Sequence, residues 1–352
     1  MLDQLAVPIV QAPMAGGPST PELAAAVGGA GGLGFVAGGY RTPDALRDDI
    51  AHTRALTDRP FGVNLFVPSG AAADPAVVRR YAESLRAEAE RAGVALGEPR
   101  FDDDAFDAKL ELLVADPVGV VSFTSGCPPA ETLARVRETG AAAWVTVTDP
   151  DEAEQAAAAG ADALVVQGAE AGGHRAAFAD SEDRVDYGLL ALLQLVRARV
   201  DLPLVATGGI ATGPGVAAVL AAGAAAAQVG SAFMLCPEAA TSAPHRAALA
   251  TPRPTGLTRA FSGRLARGIV NRLQADHSAE APIAYPEVHH LTSPLRAHGR
   301  KAGDADIVNL WAGEAHALAA ERPAAEVVAE LAAGARAALA AAQDRIGTGA
   351  AR

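Results

Sequence analysis

Eight short apolar runs recur along the first two thirds of the chain, and they end in glycine, serine, threonine or asparagine. They lie near residues 8–12, 33–36, 61–66, 118–123, 143–147, 163–167, 203–206 and 225–229. Most successive runs are separated by a helix-like segment. Alternation of eight strands with helices is the pattern of a closed parallel sheet surrounded by helices. The sequence therefore predicts an α/β fold, a TIM (β/α)8 barrel.

The intervening helices have recognisable start signals. The run Thr20-Pro21-Glu22 supplies a capping hydroxyl, a proline in the first turn and an acid near the positive end of the helix dipole. The run Thr42-Pro43-Asp44 repeats this order. Further helices are predicted over residues 129–138, 150–159, 188–200 and 215–222. The alanine-rich segment 323–345 predicts the closing eighth helix, and the tail after Gly347 is expected to be frayed.

The alternation stops after the eighth strand. From about residue 237 to residue 306 the chain has many prolines, arginines and histidines, and it shows no alternating strand pattern. This segment predicts a smaller, mainly helical insertion that packs as a lid over the barrel mouth. The barrel would then comprise residues 1–236 and 307–352.

Composition excludes several classes of partner. The net charge of −12 argues against nucleic acid, since phosphate neutralisation needs clustered basic residues. The two cysteines, Cys127 and Cys236, are far apart, which indicates a reducing cytoplasm and no disulfide framework. The N-terminus lacks the pattern of a signal peptide, and the most apolar stretch, residues 216–229, is too short for a membrane span. The oligomeric state leaves no signal in the sequence.

One imidazole follows the sixth predicted strand. Apolar residues give way to Gly168, Gly172 and Gly173, and His174 comes next. Glycines let backbone approach a ligand closely. A neutral imidazole can accept a proton near physiological pH, and its cation can hold an anion. We therefore predict a catalytic role for His174; the alternative is a loop histidine bonded to backbone.

Small residues also follow the last two predicted strands. Gly208 and Gly209 come after the seventh strand, and Gln228-Val229-Gly230-Ser231 closes the eighth. In a barrel these two loops often form a phosphate cradle from free backbone N–H groups and a helix N-terminus. We predict a bound phosphate at this position. The alternative is that the glycines serve only tight turns.

Two residues on earlier strands are candidates for ligand contacts. Met14 follows the first strand and could pack against a flat ring, although filling a gap in the core is a strong alternative. Asn64 is polar within an apolar strand, so it needs a hydrogen-bond partner if it is buried. A ligand would satisfy that need, as would ordinary hydrogen bonding in the core.

The spacing Gly29-x-Gly31-x-x-Gly34 matches a dinucleotide-binding fingerprint. That fingerprint requires a strand before the glycines and a helix after them, whereas here the order is reversed. We interpret the three glycines as a tight helix-to-strand turn.

Other reactive side chains have weaker support. The adjacent pair His289-His290 lacks acidic or cysteine ligands at useful spacing, so no metal is predicted. Cys127 could be a nucleophile, but a structural thiol is preferred. Four arginines after the eighth strand could face an anion, or they could form a solvated helix face: Arg259, Arg264, Arg267 and Arg272.

Separated motifs in the same order resemble the nitronate monooxygenase family, formerly grouped as 2-nitropropane dioxygenases, and more closely its class I branch. They are residues 8–14, 122–128, 167–175, 206–210, 228–231, 261–269 and 309–313, and the resemblance covers nearly the whole chain. It implies a TIM barrel with FMN bound non-covalently under a lid. One departure is Ser125, where the class I pattern would have an aromatic residue, which implies a more open or polar wall on the substrate side.

The resemblance also implies roles for individual residues. His174 would be catalytic and Met14 would back the isoalloxazine. The remaining FMN contacts would come from strand ends and glycine loops: Asn64, Gln167, Gly172, Gly173, Gly208, Gly209, Gln228, Val229, Gly230 and Ser231.

The implied reaction is oxidative denitrification of an alkyl nitronate, such as propionate 3-nitronate, with O₂ to a carbonyl compound and nitrite. His174 would act either as a base toward a neutral nitroalkane or as a cation that holds the nitronate. Two alternatives stay open. One is an NAD(P)H-dependent flavin reductase of the enoyl-acyl-carrier-protein or quinone reductase type, and the other is a flavin-binding protein without turnover. Detoxification and a biosynthetic role are not separated by the sequence.

Overall fold

A computed structural model describes residues 1–68 and 72–347, so the tail predicted to be frayed after Gly347 lies outside the described residues. The described chain has eleven strands: β1 Ile9–Gln11, β2 Phe35–Ala37, β3 Gly62–Phe66, β4 Val120–Thr124, β5 Ala142–Val147, β6 Ala163–Gln167, β7 Gly173–His174, β8 Leu204–Thr207, β9 Ala226–Val229, β10 Thr255–Thr258 and β11 Ala266–Ile269.

The described chain also has thirteen α-helices: α1 Pro21–Gly29, α2 Pro43–Leu56, α3 Pro75–Ser84, α4 Arg86–Ala92, α5 Phe106–Ala115, α6 Ala130–Glu138, α7 Pro150–Ala159, α8 Leu189–Arg197, α9 Gly213–Ala221, α10 Ala243–Leu249, α11 Arg272–His277, α12 Glu287–Ala302 and α13 Ala324–Gly347. None of these helices combines the length and the apolar character needed to cross a membrane.

Eight of the strands form one parallel sheet in the order β1-β9-β8-β6-β5-β4-β3-β2. A parallel bridge between Val10 and Leu33 joins β1 to the residues just before β2, so the two edges of the sheet meet. Each of the eight predicted strands is present, and the predicted TIM barrel is confirmed. Helix α13 packs on α9 and α1, the place of the predicted closing helix.

Two layers of apolar side chains hold the barrel together. One cluster includes Val10, Phe35, Trp144 and Val205 from alternate positions of the strands, whose side chains fill the interior. A larger cluster lies between the strands and the surrounding helices. The packed interior leaves the carboxyl ends of the strands as the place where a ligand can bind.

The local signals at helix ends act as predicted. The Thr20 hydroxyl accepts a hydrogen bond from the Leu23 N–H and begins α1. The first helix ends at Gly29, and β2 begins at Phe35. A Cβ on Gly34 would overlap the backbone of Ala24. The three glycines therefore form the predicted helix-to-strand turn, which brings α1 close to the sheet.

The insertion differs from the sequence prediction in one respect. It contains an antiparallel hairpin, β10 with β11, and β11 pairs in turn with β7. No alternating pattern marks these strands, since Gly256 and Gly268 interrupt them and Arg267 is buried. Long-range pairing forms them: Ala266 lies opposite His174. The division of the chain at residues 236 and 307 stays a prediction.

Candidate active site

A cavity of about 250 Å³ lies at the carboxyl ends of the barrel strands. Polar side chains from six barrel strands line it: Asn64, Ser122, Thr124, Thr146, Gln167, Thr207 and Gln228. Loop residues and the segments after the eighth barrel strand complete it, among them Met14, Tyr40, His174, Gly208, Gly209, Gly230, Ser231, His245, Arg300 and Trp311. The structure thus brings Asn64 on β3, Gln167 on β6, Gln228 on β9 and the glycines after β8 into one cavity with His174. Val229, also predicted to contact the cofactor, instead packs in the apolar core.

The pairing of β7 with β11 positions His174. Its Nε2 lies 2.8 Å from the Ser262 hydroxyl oxygen. That hydroxyl also donates to the Arg264 carbonyl at 3.2 Å. A hydroxyl has one hydrogen to donate, so this arrangement assigns the imidazole hydrogen to Nε2 and leaves a lone pair on Nδ1.

Burial sets the charge of His174. Removal from water lowers the pKa of the imidazole from 6.5 to about 3, and the Arg264 and Arg296 guanidinium groups act in the same direction. Asp180 opposes them weakly. The imidazole is therefore neutral at physiological pH, and one of its ring nitrogens carries a free lone pair.

Aromatic rings surround the imidazole. Tyr285 meets it edge-on with ring centroids 5.5 Å apart, and Trp311 lies at 5.8 Å. Tyr40 stacks on His289 at 4.2 Å with the ring planes 7° apart. These rings bound the space beside His174 with flat, mostly apolar surfaces.

Gln167 fixes the loop that carries His174. Its Oε1 accepts from the Arg175 guanidinium and from the Ala176 N–H, both at 3.0 Å. Its Nε2 donates to the His174 carbonyl at 3.1 Å. Gln167 also lines the cavity, so one amide can hold the loop and face a ligand.

Asn64 presents a donor to the cavity. Its Oδ1 accepts from the hydroxyls of Ser122 and Thr124, both at 2.8 Å. The Nδ2 group is left as the atom that can donate to a ligand. Core hydrogen bonding and ligand contact, the two alternatives for Asn64, are therefore compatible.

The ends of β8 and β9 supply unused backbone donors. No described residue accepts from the N–H of Gly208 or Gly209, and the same holds for Gly230 and Ser231. Gly208 and Gly209 have φ values of +126° and +65°, which side-chain-bearing residues rarely adopt. The arrangement suits an anion, as the two-loop cradle predicts.

Gly172 has a structural role that the sequence did not indicate. A Cβ on this residue would lie 2.5 Å from the Ala312 carbonyl carbon and the Gly313 nitrogen. The close backbone approach at Gly172 is thus to another part of the same chain. Gly173 has φ +78° and open space around it.

The four arginines after the eighth barrel strand share neither one anion-facing patch nor one solvated helix face. Arg259 pairs with Asp180 at 2.8 Å. Arg267 pairs with Glu314, and Arg272 with Glu88. Arg264 donates to backbone carbonyls. Acids elsewhere in the sequence reach three of these cations only in the folded chain, which is why the sequence prediction was wrong.

The weaker candidates take other roles. His290 Nε2 lies 2.6 Å from Asp102, whereas His289 stacks on Tyr40. Within residues 1–68 and 72–347, no group of three or more His, Cys, Asp or Glu is arranged to hold a metal. Burial raises the pKa of the Cys127 thiol, which disfavours the thiolate a nucleophile needs.

Acid should destabilise the fold through its buried histidines. Burial lowers the pKa of His174 to about 3 and that of His245 to about 4. The unfolded chain binds these protons below its pKa of 6.5 and the folded chain does not, so this stability is complete above 6.5 and declines as pH falls toward the folded values. We expect a loss of ~2–3 kcal/mol per histidine by about pH 4.5 in urea denaturation curves. In His245→Asn, the free energy of unfolding should fall less between pH 7 and pH 4.5, because the contribution of His245 is gone. If its dependence on pH is the same as in wild type, this explanation is wrong.

Sequence reasoning missed several residues that line the cavity or support the structure around it. Gln11 is fully buried and accepts from the Phe35 N–H at 2.8 Å, which links β1 to β2. Tyr40, Tyr285 and Trp311 come from loops far apart in the chain. The available signal for Tyr40 was its place at the end of a barrel strand, followed by a helix cap.

Comparison with known proteins gives a consistent result. The sequence model of the nitronate monooxygenase family matches residues 1–334. A nitronate monooxygenase of Pseudomonas aeruginosa is 42% identical over 338 residues, covering 92% of this chain and 95% of the relative. A probable nitronate monooxygenase of Bacillus subtilis is 36% identical over 315 residues, covering 88% and 90%.

Solved structures agree with the sequence comparison. Nitroalkane oxidase from Streptomyces ansochromogenes superposes with a TM-score of 0.94 at 51% identity, covering 97% of this chain and 99% of that one. FabK from Thermotoga maritima superposes with a TM-score of 0.77 at 25% identity, covering 98% and 97%.

Proposed function

The chain belongs to the nitronate monooxygenase family and is an oxidoreductase, and we propose that it binds FMN and oxidises alkyl nitronates with O₂ to a carbonyl compound and nitrite. A cytoplasmic role on small nitronates or nitroalkanes is part of this proposal. The geometry of the site and the similarity to nitronate monooxygenases and a nitroalkane oxidase support it.

The cavity residues suit FMN in three respects. The N–H groups of Gly208, Gly209, Gly230 and Ser231 would hold the phosphate. The amides of Asn64, Gln167 and Gln228 would face polar edges of the ring, and Met14 would pack against it. Bound there, FMN would supply the redox chemistry, while the protein binds, orients and tunes it.

The position of neutral His174 in the same cavity as the unused backbone donors carries the proposal. Because Nε2 is occupied by Ser262, Nδ1 can accept a proton from the α-carbon of a nitroalkane. A neutral imidazole does not supply the cation that an anion partner would need. We therefore propose that His174 acts as a base.

The direct test uses FMN-loaded enzyme and propionate 3-nitronate without NAD(P)H. We expect oxygen uptake and nitrite release in step, and no nitrite when propionate replaces the nitronate. Absence of both signals from fully loaded protein would overturn the proposal.

A second measurement addresses the reductase alternative that the sequence left open. Enzyme made anaerobic should keep its oxidised flavin spectrum when NADH or NADPH is added. Rapid bleaching by either nucleotide would favour the reductase.

A further inference from the structure

A second cavity, of about 460 Å³, lies beside the first at the barrel mouth. Segments after β4 and β7 and two loops after β11 and β10 line it, with Ser125, Cys127, Asp180, Arg264 and Tyr285 among the lining residues. Tyr285 also contacts the His174 ring. One aromatic side chain therefore faces this cavity and the imidazole of the first.

Arg264 is a buried cation without an acidic partner among the described residues. Its side chain is 3% exposed. Its Nε donates to the Arg175 carbonyl at 3.2 Å, and its Nη2 donates to the Ala177 carbonyl. No described residue accepts from its Nη1. A guanidinium in such a place normally has a carboxylate or another anion beside it, because an unpaired buried charge is costly.

The nearest acid is already used. Asp180 accepts from Arg259 through both oxygens, at 3.0 and 2.8 Å, and from the Leu265 N–H at 3.1 Å. Arg259 is therefore the counterion of Asp180. The charge of Arg264 remains available to a ligand in the second cavity.

Ser125 adds a neutral donor to the same cavity. Its side chain is buried, and its hydroxyl has no partner among the described residues. Its backbone has φ +73°, a conformation that non-glycine residues adopt at a cost and that clusters at functional sites.

We propose that the second cavity binds a small anion with two planar oxygens, a carboxylate or nitrite, between Arg264 Nη1 and the Ser125 hydroxyl. A carboxylate and a nitrite both present the paired oxygens that a guanidinium recognises. Two sources share this chemistry. If the proposed function holds, the anion is either a carboxylate on the substrate or the nitrite that the reaction releases.

Cys127 provides a test that does not require turnover. It lines the second cavity, whereas Cys236 is fully buried. In FMN-loaded full-length protein at constant ionic strength, saturating acetate or nitrite should slow alkylation of Cys127 by iodoacetamide at least tenfold. Acetamide has the shape of acetate without its charge and should not protect.

Two substitutions of Ser125 form a matched pair. Aspartate and asparagine both tolerate positive φ, and only aspartate adds a negative charge beside Arg264. Protection by acetate and nitrite should persist in Ser125→Asn and fall below twofold in Ser125→Asp. Equal protection in the two variants, or protection of wild type by acetamide as well as by acetate, would overturn the anion site.

Kinetics then separate the two sources. The quantity compared is the ratio of KM for propionate 3-nitronate to KM for propyl nitronate. If the substrate supplies the anion, this ratio is at least tenfold higher in Ser125→Asp than in Ser125→Asn. If nitrite is the ligand, this KM ratio is the same in the two variants, and nitrite inhibits Ser125→Asp less than it inhibits Ser125→Asn. If acetate and nitrite protect Cys127 but the enzyme does not oxidise nitronates, the proposed function is rejected and the anion site is retained. If the enzyme oxidises nitronates but neither anion protects Cys127, the anion site is rejected and the proposed function is retained.

Discussion

Replacing His174 with asparagine lowers kcat/KM for a neutral nitroalkane by about 10²–10⁴-fold, the range typical of a lost general base. The reason is the environment of the imidazole. It is neutral, its Nε2 is engaged by Ser262, and its Nδ1 is the atom left to take a proton. Steady-state oxygen uptake with nitroethane measures the loss.

Preformed nitronate is the internal control for this substitution. The nitronate has already lost the proton, so its kcat/KM should fall less than tenfold in the same variant. The FMN content should match wild type, since His174 supplies none of the backbone donors proposed to hold the phosphate. Equal losses with nitroalkane and nitronate would show that His174 acts on the anion.

The barrel was predictable because its signals are local and repeated. Each strand is a short apolar run, and helices such as α1 begin at a cap that the sequence displays. The hairpin of β10 and β11 was not predictable, because Gly256, Arg267 and Gly268 hide the strand pattern. Pairing with β7, almost a hundred residues earlier, supplies what the local sequence lacks.

The residues of the site also fall into a group that the sequence could predict and a group that it could not. Residues at the ends of barrel strands could be expected to meet, since the carboxyl ends of parallel strands share one face. Asn64, Gln167 and Gln228 line the cavity in this way. Ser262 and Trp311 reach His174 from beyond the barrel strands, and nothing in their local sequence assigns a contact. Their segments were noticed only as parts of motifs.

The ion-pair partners of the arginines are the feature of the site that the sequence predicts least well. Arg259, Arg264 and Arg267 have no acid three or four residues away, and the sequence therefore suggested solvent or an external anion. Folding brings an acid to three of the four arginines: Asp180 to Arg259, Glu314 to Arg267 and Glu88 to Arg272. Arg264 differs only because Asp180 is already occupied, a fact that exists in three dimensions alone.

The phosphate cradle makes the last prediction. Ser231 follows β9, and its hydroxyl accepts from the Gly313 N–H at 2.9 Å. Aspartate and asparagine can both offer an oxygen to that N–H, so Ser231→Asp and Ser231→Asn differ in charge. Two unit negative charges about 5 Å apart at an effective dielectric of about 20 repel by on the order of 3 kcal/mol, which an aspartate beside the cradle would impose on a phosphate held there. We expect FMN to bind about 10²–10³-fold more weakly to Ser231→Asp than to Ser231→Asn.

Binding of riboflavin shows whether the substitution affects the phosphate or the ring of FMN. It has the isoalloxazine and ribityl groups of FMN without the charge, so both variants should bind it equally in titrations of apoprotein followed by flavin fluorescence. Raising the salt concentration should reduce the difference in FMN affinity between the two variants only partly. Salt screens a partly buried pair of charges, such as the aspartate and the phosphate, less than an exposed pair. If Ser231→Asp weakens riboflavin as much as FMN, the phosphate does not lie between Gly208 and Ser231, and the cradle would have to be sought elsewhere in the cavity.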